Sequence, residues 1–308
     1  MQNINNNELA SDLVKDLIKE KQRDRLYKNI RSLLWLLLIA YIVFNIFRLI
    51  GPSSHATTAS NKKYAALIRL DGMIAPGREF SSNEIVPTFQ EAFEDQNAIG
   101  VIVVINSPGG TPVQASIIHD ALLTFKKKYN KKLIVIGEDL LTSGAYYVAV
   151  AADKIYVNPN TITGSVGVIM KGFGFVDALK KLGIERRVYT AGNNKDRLDP
   201  FLPQNPEDLK KIQQVMDEVH QNFVNAVLAG RKDKLHADPS ILFSGDFWSG
   251  QTALKLGLVD GLGNLTDVLN KEFDSSQVKE FNSTPGFLRM LGGQLTSAFD
   301  SMVYTMNS

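Results

Sequence analysis

The chain has no cysteine in its 308 residues. Disulfides, thiolate nucleophiles and cysteine-bound zinc are therefore excluded together, and the redox compartment is left open. Histidine is almost as scarce. His55, His119, His220 and His236 stand far apart, with no HExxH or comparable pair, so the sequence implies neither a metal centre nor a cofactor. A strong charge of either sign is missing as well. Lys and Arg number 34 and Asp and Glu 32, a formal net charge of +2, which argues against a nucleic-acid partner. No internal repeat is evident.

What is present begins with one long apolar run, SLLWLLLIAYIVFNIFRLI, from Ser32 to Ile50. As a helix rising about 1.5 Å per residue it spans about 28 Å, close to the hydrocarbon thickness of a bilayer. Arg48 lies near its end, within reach of the interface. Seven basic residues precede it (Lys15, Lys19, Lys21, Arg23, Arg25, Lys28 and Arg31), and only Arg48, Lys62 and Lys63 follow closely. The positive-inside rule then puts residues 1–31 in the cytoplasm and everything beyond residue 50 across the membrane. A cleaved signal peptide is the alternative, but its basic leader would be unusually long, which favours an uncleaved anchor. Leu9, Leu13, Leu17, Val14 and Ile18 form a helical stripe before the span, suited to packing.

Residues 51–63, rich in small and polar side chains, read as a linker. From Tyr64 the pattern alternates. YAALIRLDGMI and AIGVIVVINS read as strands, PVQASIIHDALLTFKKKY as a helix, KLIVIGE as a strand, GAYYVAVAA as a helix, and KIYVNP as a strand. Such alternation predicts an α/β domain with a largely parallel sheet, placed over 64–272. A long helix is expected from Pro206 to Lys232. The tail 273–308 is amphipathic and broken by Gly292-Gly293.

Parallel sheets carry their sites at the carboxyl ends of strands. One such end is INSPGGTP, where Gly109 and Gly110 could bring backbone N–H groups close to a ligand or close a plain turn. It is no phosphate loop, since the Gly-Lys-Ser/Thr ending is missing. The other end leads to Ser143, which could cap a helix or present its hydroxyl on a sharp strand-to-helix turn. A serine nucleophile needs a base. His119, the histidine nearest these strands in sequence, reads better as a residue on a helix surface. A lysine can serve instead if burial or a nearby cation lowers its ordinary pKa of about 10.4 by some three units. Lys126–Lys128, Lys131, Lys132, Lys180 and Lys181 read as solvated faces. Lys195, in a turn after the expected strand RRVYTA, could project into a cleft or remain an exposed loop residue.

Taken together, SPGG, SGAYYVAVAADKI, TGSVGV, GNNKD and FSGDFWSGQTALKLGLVDGLG resemble, in order, the bacterial signal peptide peptidase A family. The resemblance covers roughly residues 64–272. It implies a Clp-protease/crotonase-like α/β parallel-sheet fold and a serine peptidase with a Ser–Lys dyad. On that resemblance Ser143 is the nucleophile, Lys195 the general base and acid, and Ser165 the serine that orients the lysine. Gly109 or Gly110, together with Gly144, supplies the oxyanion N–H groups. Ala145 stands where the family commonly has a second glycine. The resemblance also implies apolar, signal-peptide-like substrates and a ring-like homo-oligomer in which serine and lysine could come from adjacent subunits. The implied location is the bacterial cytoplasmic membrane, with the peptidase domain on its outer side. Two other readings stay open: a non-catalytic membrane scaffold that keeps the fold, and a crotonase-like acyl-CoA enzyme, which export disfavours.

Overall fold

The computed structural model describes residues 6–50, 62–273 and 277–282. Residues 51–61 of the expected linker and the Gly292-Gly293 break of the tail lie outside them. The chain divides into two units, 1–60 and 61–308. The described residues of the first form a single helix, α1 (Asn6–Ile50), so the basic stretch and the apolar run are one continuous element of 45 residues. Within it, Lys19–Val43 is long and apolar enough to cross a membrane by length and composition.

The second unit is the expected α/β domain. Its elements are β1 (Tyr64–Asp71), α2 (Ser82–Glu94), β2 (Ala98–Ser107), α3 (Pro112–Tyr129), β3 (Lys132–Thr142), α4 (Gly144–Ala149), β4 (Lys154–Val157) and β5 (Ile162–Gly164). There follow α5 (Val176–Lys181), α6 (Pro206–Arg231), α7 (Pro239–Leu242), β6 (Phe247–Ser249), α8 (Gly250–Leu256), β7 (Gly261–Leu262), α9 (Leu265–Glu272) and β8 (Val278–Glu280). The sheet runs β6-β5-β3-β2-β1-β8, and β4 pairs with the first half of β3 while β5 takes its second half. All pairings are parallel except β5 with β6.

β1 and β2 are almost continuously apolar because helices cover both faces of the sheet. One face packs Ile68, Val101, Val103, Leu133 and Val135 under α2, α3, α4 and α6. The other packs Leu67, Ile102, Val104, Ile134 and Ile136 under Val268, Leu269 and Phe273. The sheet continues past residue 272, since β8 adds to the edge of β1 and Phe281 N–H donates to Leu67 O. Hydrophobic transfer at about 25 cal/mol per Å² makes these two layers the main source of stability.

Two buried ionic knots tie the layers together. Glu272 closes α9 with its side chain 3% exposed, accepting from Lys132 on β3, Lys154 on β4 and the Tyr156 hydroxyl. Burial pushes its carboxyl up, but these three donors outweigh burial and hold it at about 2. Arg231, fully buried at the end of α6, donates to Gly257 O and pairs with Asp260, whose other oxygen meets Lys234. The GLVDGLG stretch is thus a strap beneath α4, where the Tyr146 hydroxyl donates to Leu258 O.

Several lysines read as solvated are partnered and half-buried. Lys126 donates to Ala151 O, Lys131 to Asp95 O, and Lys132 pairs with Glu272. Their long stems run along the core's rim while the amines find backbone or carboxylate oxygens. RRVYTA forms no strand. Among the described residues, no strand pairs with 184–190 to supply the ladder hydrogen bonds an extended segment needs.

Candidate active site

β3 is longer than its sequence pattern suggests, since DLLT continues the strand to Thr142. Leu140–Thr142 pair in register with Ile162–Gly164 of β5, so Thr142 faces Gly164. The next residues on the two strands are Ser143 and Ser165. Parallel register therefore sets side by side two serines that stand far apart in sequence. Ser143 N–H donates to Gly164 O at 2.9 Å, and Ser165 N–H to Asp246 O at 2.7 Å.

Both serines have left-handed backbones, with φ of 53° in each case. For residues other than glycine this region is sparsely occupied, and such strain persists only where surrounding structure fixes it. Ser143 (φ 53°, ψ −125°) holds the N-cap position of α4, and its carbonyl accepts the first helical bond from Tyr147 N–H at 2.9 Å. Its hydroxyl makes no capping bond. The side chain is half-buried and lines the cavities on either side of Gly167–Ile169. Of the two uses weighed for this serine, starting a helix falls to its backbone. The hydroxyl is left to the cleft.

The glycines divide by role. Gly109 (φ 95°) packs directly on the turn, where a Cβ would lie 2.8 Å from Ser143 Cβ and 2.7 Å from Gly144 N. Its own N–H donates to the buried Ser107 hydroxyl at 3.1 Å, so it is not directed at a ligand. Gly110 bridges in parallel to Ile74, whose N–H and C=O bond to Gly109 O and Thr111 N–H. In that pattern the Gly110 N–H points away from Ile74. It lies 3.1 Å from the place a Gly144 Cβ would take. Gly144 is the first residue of α4, where an N–H has no intrahelical partner. Ala145 is fully buried in the core beside it.

Two cavities meet at Ser143. A pocket of about 110 Å³ is bounded by Gly110, Ala115, Tyr147, Val168, Val219 and Phe223. A larger one of about 380 Å³ is more polar and holds Ser165, Gln213, Asp217, His220 and Ser244. Lys195 lines neither. It sits exposed on the turn after Gly192, its N–H donating to Gly192 O. Within one chain the structure brings together Ser143, Ser165, Gly110 and Gly144, and leaves Lys195 outside their cavity.

His119 is not on a helix surface. It is buried against Tyr147, ring edge to face at 5.2 Å, with Nδ1 2.8 Å from Asp120 Oδ1. Burial lowers its pKa, with Asp120 opposing. Ala115, Ile118, His119 and Leu122 form one buried stripe of α3, the signal that places it inside. Sequence reasoning also left His220 without a role, although it lines the larger cavity. Its spacing with Met216, Phe223 and Val227 on α6 puts it on the inward face.

The model for peptidase family S49 matches residues 125–279, a span that includes both serines and Lys195. The Na(+)/H(+) antiporter NhaA of Brucella melitensis biotype 1 is 41% identical over 228 residues, which is 72% of this chain and 31% of that protein. The chain thus spans under a third of that relative, and the transport in its name is said of that protein alone. The "Putative signal peptide peptidase SppA" of Enterococcus faecium is 30% identical over 74% of this chain and 70% of its own length. "Protease 4" of Haemophilus influenzae is 29% identical over 67% of this chain and 34% of its own. The match to half the chain and the breadth of the SppA alignment agree with the order of the glycine and serine motifs: the chain belongs to peptidase family S49.

Proposed function

We propose that the chain is a membrane-anchored serine endopeptidase acting on apolar peptides such as released signal peptides. Ser143 attacks and Lys195 is its base. The observation that carries this reading is the backbone of Ser143: a strained φ of 53° at the end of β3, with the hydroxyl unused for capping. Gly110 N lies 3.1 Å from the place a Gly144 Cβ would take, which supports assigning the Gly110 and Gly144 N–H groups beside this turn to an acyl-transfer oxyanion.

In the proposed sequence the Ser143 hydroxyl gives its proton to the neutral Lys195 amine as Oγ bonds to the peptide carbonyl carbon. The carbonyl oxygen, now an oxyanion, is held by Gly110 and Gly144 N–H, and Gly109 contributes close backbone approach. Collapse breaks the C–N bond, and the lysine ammonium protonates the departing amine. Water, deprotonated by the same amine, cleaves the ester and returns the proton to Ser143. Ser165 orients the amine. The 110 Å³ pocket walled by Ala115, Tyr147, Val219 and Phe223 suits a small or medium apolar side chain next to the cleaved bond.

Since Lys195 is exposed in the single chain, this reading takes the lysine from an adjacent copy in a ring-like homo-oligomer. The apolar stretch of α1 anchors the assembly, with the basic N-terminal side cytoplasmic and the α/β domain across the membrane. A fluorophosphonate probe applied to the detergent-solubilised full chain is expected to label wild type and not Ser143→Ala. Peptide cleavage should fall by at least about 10³-fold in the variant. A folded wild-type chain that takes no label would return the protein to the scaffold reading.

A further inference from the structure

We infer that His220 is a positioning residue of this site, acting through its ring Nε2–H on the strained segment that carries Ser165. The inference rests on the peptidase reading and adds a part that reading does not contain. His220 lies on the inward face of α6, half-buried, with Nε2 3.1 Å from Val166 O. A carbonyl oxygen only accepts, so Nε2 carries the hydrogen whether the ring is neutral or charged.

The segment it grips is the one that needs gripping. Ser165 has a φ of 53°, a conformation that does not hold itself. Three bonds fix it from three sides. Gly164 O accepts from Ser143 N–H, Ser165 N–H donates to Asp246 O, and Val166 O accepts from His220. The first two are backbone bonds. His220 is the side chain among the three, and it reaches across from a different layer of the fold. The Val166 side chain is fully buried, which anchors the same peptide from its other face. Gly167–Ile169 follow at once and line both cavities that meet at Ser143. Loss of the His220 bond would free the Val166 peptide to rotate, turning the Ser165 hydroxyl and shifting that cavity wall. Among the described residues that line the larger cavity, Asp217, one turn earlier on α6, is the ionisable residue besides His220, and none of the others carries a carboxylate. The ring's task is donation from a fixed point, not proton transfer.

A donor in that position is what His220→Gln keeps and His220→Leu removes. Both would be assayed as the full chain in detergent, for kcat and KM on an apolar peptide, rate of fluorophosphonate labelling, pH–rate profile and thermal unfolding. Expected for Leu is a fall in kcat and in labelling rate of about 10–100-fold, KM within about threefold, and an unchanged unfolding temperature, the scale of a small misplacement of reacting groups. Gln should recover kcat to within about threefold, with the pH profile of wild type. Full activity in Leu overturns the inference. So does a Gln variant as impaired as Leu, or one whose pH profile moves, because the ring would then be needed for its proton. Wild type that labels at Ser143 while Leu turns over normally removes the role of His220 alone. Wild type that neither labels nor cleaves removes the peptidase reading and this inference with it.

Discussion

The two ends of the candidate dyad sit in opposite kinds of structure. Ser143 lies where β3, β5, α3 and α4 converge, among fully buried Leu141, Ala145, Tyr146 and Val166, with its strained turn held by backbone bonds. Lys195 lies in a stretch from Ile169 to Asn205 in which no side chain is buried. Yet that stretch is rich in apolar groups: Phe173 is 82% exposed, Tyr189 91% and Leu182 71%. Its internal contacts include a ring stack of Phe175 on Phe201 at 5.3 Å and the Arg186–Asp199 pair, and Arg197 ties it to Asp208 on α6. A ring stack and a few ion pairs of this kind do little to hold such a stretch. One half of the site is finished inside the chain. The other carries the composition of a buried surface without the burial, as an arm completed by a second copy would.

The sharpest way to break that contrast is to separate the two residues genetically. Ser143→Ala and Lys195→Ala should each lose at least about 10³-fold in peptide cleavage. Lys195→Ala should leave thermal unfolding unchanged, because the residue is exposed in the single chain. Chains carrying one substitution each, co-assembled, should recover part of the activity if the arm of one copy serves the serine of another. Silence in the mixture with both parents assembled would place the dyad within one chain and require the arm to fold back.

The finished half can be tested by acid. The folded pKa of Glu272, about 2, lies below its ordinary 4.5. Its stabilisation is therefore fully present above about pH 4.5 and is lost as pH falls toward 2. Its lysine partners are more than a third exposed, so solvent screening limits the contribution to about 1–2 kcal/mol. Glu272→Gln should show a shallower loss of stability over that window, measured by denaturant unfolding at stepped pH. A slope equal to that of wild type would mean the knot contributes nothing and the layers hold by apolar packing alone.

The same contrast explains what the sequence made legible. AIGVIVVINS and PVQASIIHDALLTFKKKY coincide with β2 and α3 to the residue, because burial on both faces and a helical stripe are local signals. The turn at Ser143 was legible for the same reason, as a small hydroxyl residue and a glycine between an apolar strand and an apolar helix. The neighbourhood of Ser143 and Ser165 was not, since it comes from the register of two short strands, and β5 has three residues. Nor was β8, whose place at the sheet edge is set by β1. The inward turn of His119 and His220 could be read from their spacing with apolar neighbours on α3 and α6, but the groups they meet, Tyr147 and Val166 O, lie on other elements. RRVYTA misled because its alternation describes a strand for which the described residues provide no partner.

The mildest test returns to the arm. Tyr189→Ser and Phe173→Ser remove two of the most exposed rings in the domain. If the arm were a packed part of the single chain, each would cost several kcal/mol, as ring deletions from a core do. Because both rings face solvent, the expected change in unfolding free energy is within about ±0.5 kcal/mol, measured on dispersed single chains. Sedimentation in detergent should nonetheless shift toward smaller species, since a ring that stabilises nothing within its own chain is free to contribute at a contact between chains. A substitution that lowers stability and leaves assembly intact would reverse both halves of the comparison, making the arm part of the core and Lys195 a residue of its own chain's site.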